Sequence, residues 1–314
     1  MKLNPALLAL AIGAFGIGVT EFSPMGLLPV MATDLGVSIP IAGLLVSAYA
    51  VGVMLSAPLM TLATARLPRR TLLIGLMGIF TLGNFLSAVA TDYYMLLIAR
   101  IITSLNHGTF FGVGSVVAAS VVAPDKRAAA VAAMFMGLTI ATIGGVPLAT
   151  WVGEVAGWRA AFWGITALGV LAMMALRAAL PNIPADKDVN LKSEINVLKR
   201  GPVLFALALT VIGSSAMFTV FTYIAPILQH EAHASTLFVT AMLVIYGVGL
   251  TVGNMLGGRF ADKSVDKTLI VSLGGLVALL VIFAFMMKWL VVAPVVIFLW
   301  GSRALPLSRP CKCE

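Results

Sequence analysis

Two segments of this chain decide its fold: Ser47–Leu76, SAYAVGVMLSAPLMTLATARLPRRTLLIGL, and Val244–Leu273, VIYGVGLTVGNMLGGRFADKSVDKTLIVSL. They align without a gap. Tyr49 meets Tyr246 (246 − 49 = 197), and Gly52 meets Gly249, Arg66 meets Lys263 and Thr71-Leu72 meets Thr268-Leu269 at the same offset. Pro29 and Pro226 extend the register upstream. Each segment is an apolar run, a short charged connection and a second apolar run, so the chain carries one architecture twice.

The apolar runs are membrane spans. Of 314 residues 61% are hydrophobic and 10% charged, against about 25% charged in a soluble domain. Runs of about 18 or more uncharged residues recur along the chain, each long enough to cross roughly 30 Å of hydrocarbon as a helix. Ten spans are expected, near 5–30, 40–63, 71–91, 93–121, 128–153, 158–180, 202–228, 236–259, 268–287 and 289–302. The first is too long for a secretory signal and is interrupted by Glu21, so it reads as a retained helix.

Charge sorting supplies an orientation. With the N-terminus inside, 14 of the 20 Lys and Arg residues fall on the inner side and only Arg159 and Lys288 on the outer, leaving Arg100 within a span and Arg303, Arg309 and Lys312 in the tail. This is the positive-inside bias. It accounts for the net charge of +8 without nucleic acid, for which no basic stripe with interleaved aromatics is present. Both cysteines, Cys311 and Cys313, lie in the last four residues, and no metal-ligand spacing or cofactor motif occurs within the spans. His230 to His233, HEAH, falls one residue short of the zinc-protease spacing, and no phosphate-binding loop is present. No paired acids or Ser/His pair recur at reactive spacing, so an enzyme is not expected.

An offset of 197 that returns to the same side of the membrane implies a six-helix unit repeated in parallel. The only long polar interruption, PNIPADKDVNLKSEINVLKRG from Pro181 to Gly201, joins the copies. The expected organisation is a six-helix bundle over 1–180, a cytoplasmic linker over 181–201, a partial bundle of four helices over 202–302 and an atypical tail over 303–314.

The connection TLATARLPRR, Thr61 to Arg70, and its counterpart GRFADKSVDK, Gly258 to Lys267, resemble the G-x-L-A-D-R-x-G-R-R loop of the major facilitator superfamily. The first copy departs from it at Thr61, Ala65 and Pro68; the second keeps Gly258 and Asp262. TEFSPMGLLPVMATDLGVS in the first span, ARIITSLNHGTFFGVGS in the fourth, MGLTIATIGGVPLATWVG in the fifth and the following GWRAAF are similar to the bacterial drug:proton antiporter and arabinose-efflux group. The resemblance implies an all-α integral membrane protein of two parallel six-helix bundles, the second incomplete, in a bacterial inner membrane. It also implies that Arg66, Arg69, Arg70, Gly258, Asp262 and Lys263 act as gating loops and that Gly137, Gly144, Gly145, Pro147 and Gly153 form the antiporter motif.

The candidate mechanism rests on charges in the spans. Glu21 is costly in hydrocarbon unless neutralised, paired or hydrated, which suits a proton-binding site, and Arg100, eight residues into the fourth span, is its expected electrostatic partner. A rival role for Arg100 is bracing backbone carbonyls. Tyr49, Asn106, His107 and Tyr246 are assigned to substrate binding. The expected function is proton-coupled efflux of a small drug or sugar by a monomer through alternating access, with no cofactor. An uncoupled sugar facilitator and a non-transporting membrane protein are the alternatives. The tenth span, WLVVAPVVIFLWG, has 13 residues and gives way to SRALPLSRPCKCE, which reads as a chain truncated before its last two helices.

Overall fold

A computed structural model of the chain describes residues 4–184, 201–261 and 264–303. The chain divides into two compact units, Met1–Val189 and Asn190–Glu314. Eight helices among the described residues are long and apolar enough to cross a membrane, and Ile270–Met286 is a shorter apolar helix.

In the first unit α1 spans Pro5–Asp34, α2 Ile39–Ala63, α3 Arg69–Ala88, α4 Tyr93–Ser104 and α5 His107–Ser120. A 3-10 turn precedes α6, Arg127–Ile140; a π-helical turn, Ala141–Gly145, leads into α7, Val146–Ala156; and α8 spans Trp158–Ala179. Asn4 caps α1 by accepting from the Ala6 amide at 3.0 Å, and Pro5 stands at a position where its missing N–H costs nothing. Asp92 caps α4 by accepting from the amides of Tyr94 and Met95 at 2.9 and 3.0 Å.

Proline explains where the expected spans depart from single helices. Pro147 cannot donate to the carbonyl four residues back, and the fifth span passes that point through the π turn. In the second unit the expected seventh span is two helices, α9 (Gly201–Thr222) and α10 (Ile224–Glu231). The carbonyl of Thr222 is the one that Pro226 leaves without an amide. The fourth span is also interrupted, at Leu105 and Asn106, with no proline in it. The second unit continues with α11 (Thr236–Ala261), α12 (Val265–Met286) and α13 (Ala293–Arg303). Within α13 Pro294 takes the second helical position, which places the helix start later than the expected Trp289.

Glycines set the packing of α1. A Cβ on Gly137 would overlap the Ala11 carbonyl, one on Gly145 would strike Val19 and Phe15, and one on Gly153 would strike Leu27. The partners ascend in order, so α1 runs parallel to α6 and α7, as first and fifth crossings must. Gly137 and Gly145 are eight residues apart, about 80° beyond two α-helical turns; the wider π turn between them takes up that excess and keeps both on α1. The core around this seam holds Leu10, Ile17, Phe80, Phe110 and Phe162, all fully buried.

Both ends of the first unit are tied. At one end the Asp34 carboxylate accepts from Trp158 Nε1 at 3.0 Å and Arg159 Nη1 at 2.6 Å, while Arg159 Nε donates to the Ala90 carbonyl at 2.8 Å. At the other, Arg70 donates to the Arg177 carbonyl and the Arg69 amide to the Ile183 carbonyl at 3.0 Å. The repeat is visible in packing within each unit. Gly52 in α2 abuts Ser104 and lies near the Ile101 carbonyl, and Gly249 in α11 abuts the Phe298 carbonyl, 197 residues after Ile101.

Two measurements test this account. Gly137→Ala is expected to lower the melting temperature in detergent, at a cost of about 1–3 kcal/mol from overpacking. Gly144→Ala is expected to leave it unchanged, because a Cβ there meets nothing within 4 Å. The second concerns Asp92, whose carboxyl is held below the usual carboxylate value by the Met95 amide and, with it, the Tyr94 amide. A lowered folded-state value adds stability that is present above the unfolded value of about 3.9 and lost as pH falls through the folded one. The advantage of the native chain over Asp92→Asn is therefore expected to be full near neutral pH and to vanish in strong acid, read as the difference in melting temperature.

Candidate functional site

Pro24 lies inside α1 and has no N–H, so it cannot serve the carbonyl of Thr20 one turn earlier. Arg100 of α4 takes its place. Its Nη1 donates to the Thr20 carbonyl at 2.8 Å and lies 3.5 Å from the Thr20 hydroxyl. The Thr20 hydroxyl donates to Asn84 Oδ1, and Asn84 Nδ2 donates to the Phe80 carbonyl at 2.9 Å. Thr20, Asn84 and Arg100 are fully buried, so a chain of polar groups joins α1, α3 and α4 through the apolar core.

The guanidinium also lies over the Tyr49 ring, 4.2 Å from its centroid, a cation–π contact that gains strength away from water. The Tyr49 hydroxyl in turn stands 2.9 Å from His107 Nδ1. The same nitrogen is 4.0 Å from Glu21 Oε2. Glu21 follows Thr20 on α1, so the residue that holds Arg100 is the neighbour of the membrane carboxylate. Arg100 and Tyr49 are sealed from solvent, whereas the Glu21 and His107 side chains keep 20% and 17% of their surface.

Of the sequence-derived candidates, Glu21, Arg100, Tyr49 and His107 thus meet in one cluster, with α1, α2, α4 and α5 each giving a residue. Asn106, next to His107, is fully buried, and neither end of its amide has a partner among the described residues; Arg100 Nε and Nη2 are in the same position. Buried polar atoms of this kind are ordinarily served by water or a bound solute. Tyr246 lies in the second unit, stacked on Phe221 with ring centroids 4.4 Å apart and 4.9 Å from Trp300. Its hydroxyl and Trp300 Nε1 are buried without partners among the described residues.

The loop residues are placed only in part. Arg66 is exposed, while Arg69 and Arg70 are half-buried at the start of α3. Arg70 reaches the backbone of Arg177 and not an acid. Gly258 falls within α11, and Asp262 and Lys263 lie outside the described residues. Of the fifth-span motif, Gly137, Gly145 and Gly153 line the α1 seam, Pro147 follows the π turn, and Gly144 faces open space. Thr20 and Asn84 escaped the sequence reading. The signal for Thr20 was its place four residues before Pro24; nothing in the sequence marked Asn84.

Comparison with known proteins places this cluster in a family context. The family model described as Major Facilitator Superfamily matches residues 10–311. The chain belongs to that family. It is 56% identical over 312 residues to the inner membrane transport protein YdhP of Escherichia coli strain K12, covering 99% of this chain and 80% of that protein. It is 34% identical over 279 residues to the chloramphenicol resistance protein of Streptomyces lividans, covering 87% of this chain and 70% of that one. Among solved structures it is similar to the D-xylose-proton symporter, with a TM-score of 0.72 at 17% identity over 95% of this chain and 79% of the other, a likeness of fold. The family makes the chain a multi-pass inner-membrane transport protein rather than an enzyme.

The Thr20 carbonyl supplies a test of the arginine's local role. Arg100→Met is expected to lower stability by about 1–3 kcal/mol through the carbonyl left unserved. Adding Pro24→Ala to it returns an amide to Thr20 and is expected to recover about 1 kcal/mol. Melting temperatures of the four proteins of this double-mutant cycle give the coupling.

Proposed function

We propose that this chain is a proton-coupled exporter of a small drug or sugar, working by alternating access with Glu21 as the proton-binding group. The observation that carries the reading is the pairing of a partly exposed Glu21 with a fully buried Arg100 held on the adjacent residue of the same helix. A carboxylate in a span needs a compensating charge or a proton, and an arginine whose distance changes between two conformations alters which it takes. The drug:proton antiporter resemblance and the similarity to a chloramphenicol resistance protein support export of a drug. The arabinose-efflux resemblance keeps a sugar in view.

In this reading the N-terminus is cytoplasmic, the protein acts as a monomer, and 1–180 and 202–302 form a six-helix and a four-helix bundle joined by the 181–201 linker. Tyr49, Asn106 and His107 in the first bundle are substrate-binding residues, and so is Tyr246 in the second. The glycines at 137, 145 and 153 let the fifth span bear closely on the helix that carries Glu21, which suits a helix that must shift without opening a gap. Arg66, Arg69 and Arg70, with Gly258, Asp262 and Lys263, gate the inner face.

Everted membrane vesicles with an imposed proton gradient test the coupling. Addition of chloramphenicol or arabinose is expected to release protons from vesicles containing the native chain and not from those containing Glu21→Gln. Proton release that survives Glu21→Gln would overturn the reading.

A further inference from the structure

His107 Nδ1 is the meeting point of two groups with opposite demands. The Tyr49 hydroxyl sits 2.9 Å away, at hydrogen-bond distance. A hydroxyl both donates and accepts, so this bond persists whether or not the nitrogen bears a hydrogen: Tyr49 donates to a lone pair, or turns and accepts from N–H. Glu21 Oε2, at 4.0 Å, is about 1 Å beyond hydrogen-bond range. As a carboxylate it favours the protonated ring; as a carboxylic acid it holds a proton that this nitrogen can take. Tyr49 thus supports His107 in either charge state, and Glu21 discriminates between them.

The surroundings suit such an exchange. Besides Glu21 on α1 and Tyr49 on α2, Arg100 on α4 stands one residue removed from the ring, over the Tyr49 ring at 4.2 Å. The other ring neighbour is Phe111, with centroids 5.1 Å apart, and Phe111 is itself stacked on Phe135. Among the described residues, the contacts on this side of the ring are with aromatic carbon and not with a titratable group. His107 opens α5 just after the helix is interrupted at Leu105 and Asn106, where the first amides have no partner within the helix.

We propose that His107 is the proton partner of Glu21 and that Tyr49 is its positioning residue. In the transfer the carboxyl O–H bond of Glu21 breaks as an N–H bond forms at His107 Nδ1. The carboxylate left behind pairs with the imidazolium, and the Tyr49 hydroxyl reverses from donor to acceptor. No other reactant is consumed. The inference rests on Glu21 being the proton-binding group, and it adds a second titrating residue on a different helix, so that carboxylate and imidazole report one proton to two structural elements.

The chain has three histidines, which makes a direct measurement practical. Nitrogen-15 histidine spectra of the full chain in nanodiscs are recorded across pH, with His107→Gln assigning the signal. The pH midpoint of His107 is expected to move in Glu21→Gln while those of His230 and His233 stay fixed. In vesicles, His107→Gln is expected to flatten the pH profile of proton-driven transport, and Tyr49→Phe to displace the profile without flattening it. An unmoved His107 midpoint in Glu21→Gln, or an unaltered transport profile in His107→Gln, would overturn the inference. If Glu21→Gln still abolishes coupling in that case, the exporter reading stands without it. If Glu21→Gln also has no effect on coupling, both fall.

Discussion

Arg100 is buried in the first unit because Pro24 leaves a carbonyl for it. A guanidinium deep in an apolar core is costly unless its donors are served, and here one donor meets the Thr20 carbonyl while the planar face lies over Tyr49. The proline is tolerated in a 30-residue helix for the reciprocal reason. Each residue lowers the other's penalty. The rest of the cluster follows from that bond: it fixes α4 against α1 next to Glu21, and the Tyr49 ring that covers the arginine carries the hydroxyl that orients His107.

This polar chain requires close helices, and small residues supply them. Gly137, Gly145 and Gly153 bring the fifth span against α1, and Gly83 brings α3 against the Thr103 backbone of α4. Without a hydrophobic force between helices in lipid, such contacts depend on fit and on interhelical hydrogen bonds. The π turn at Ala141–Gly145 belongs to the same fit, since it keeps two glycines of one span on a single neighbour while absorbing the missing amide of Pro147.

The fold was largely legible because its signals are long and repetitive. Apolar runs of 20 or more residues state their own secondary structure in a bilayer, where every backbone polar group must be paired within the segment. The constant offset between Tyr49 and Tyr246 exposed the duplication. Interruptions were harder to read. Pro226 breaks its span and Pro24 does not, and the group that serves the carbonyl freed by Pro24 is Arg100, 80 residues away in the chain. The same limit applies to Gly144 and Gly145, adjacent in sequence, of which one packs against α1 and the other faces open space.

For the site, the sequence by itself determined which charges had to be explained: Glu21 and Arg100 are anomalous in apolar spans whatever the fold, because ionised groups resist transfer from water. It also determined the family, through loops whose spacing recurs 197 residues apart. Only the tertiary structure decided what those charges touch. Arg100 was open to two roles, partner of Glu21 or brace of a helix carbonyl, and it braces Thr20 within one residue of Glu21. His107 was one polar residue among several until α1 and α2 placed Glu21 and Tyr49 on either side of one ring nitrogen. Such placement depends on distances between residues 58 and more positions apart in the chain, and those are set by how helices pack, not by the order of residues along them.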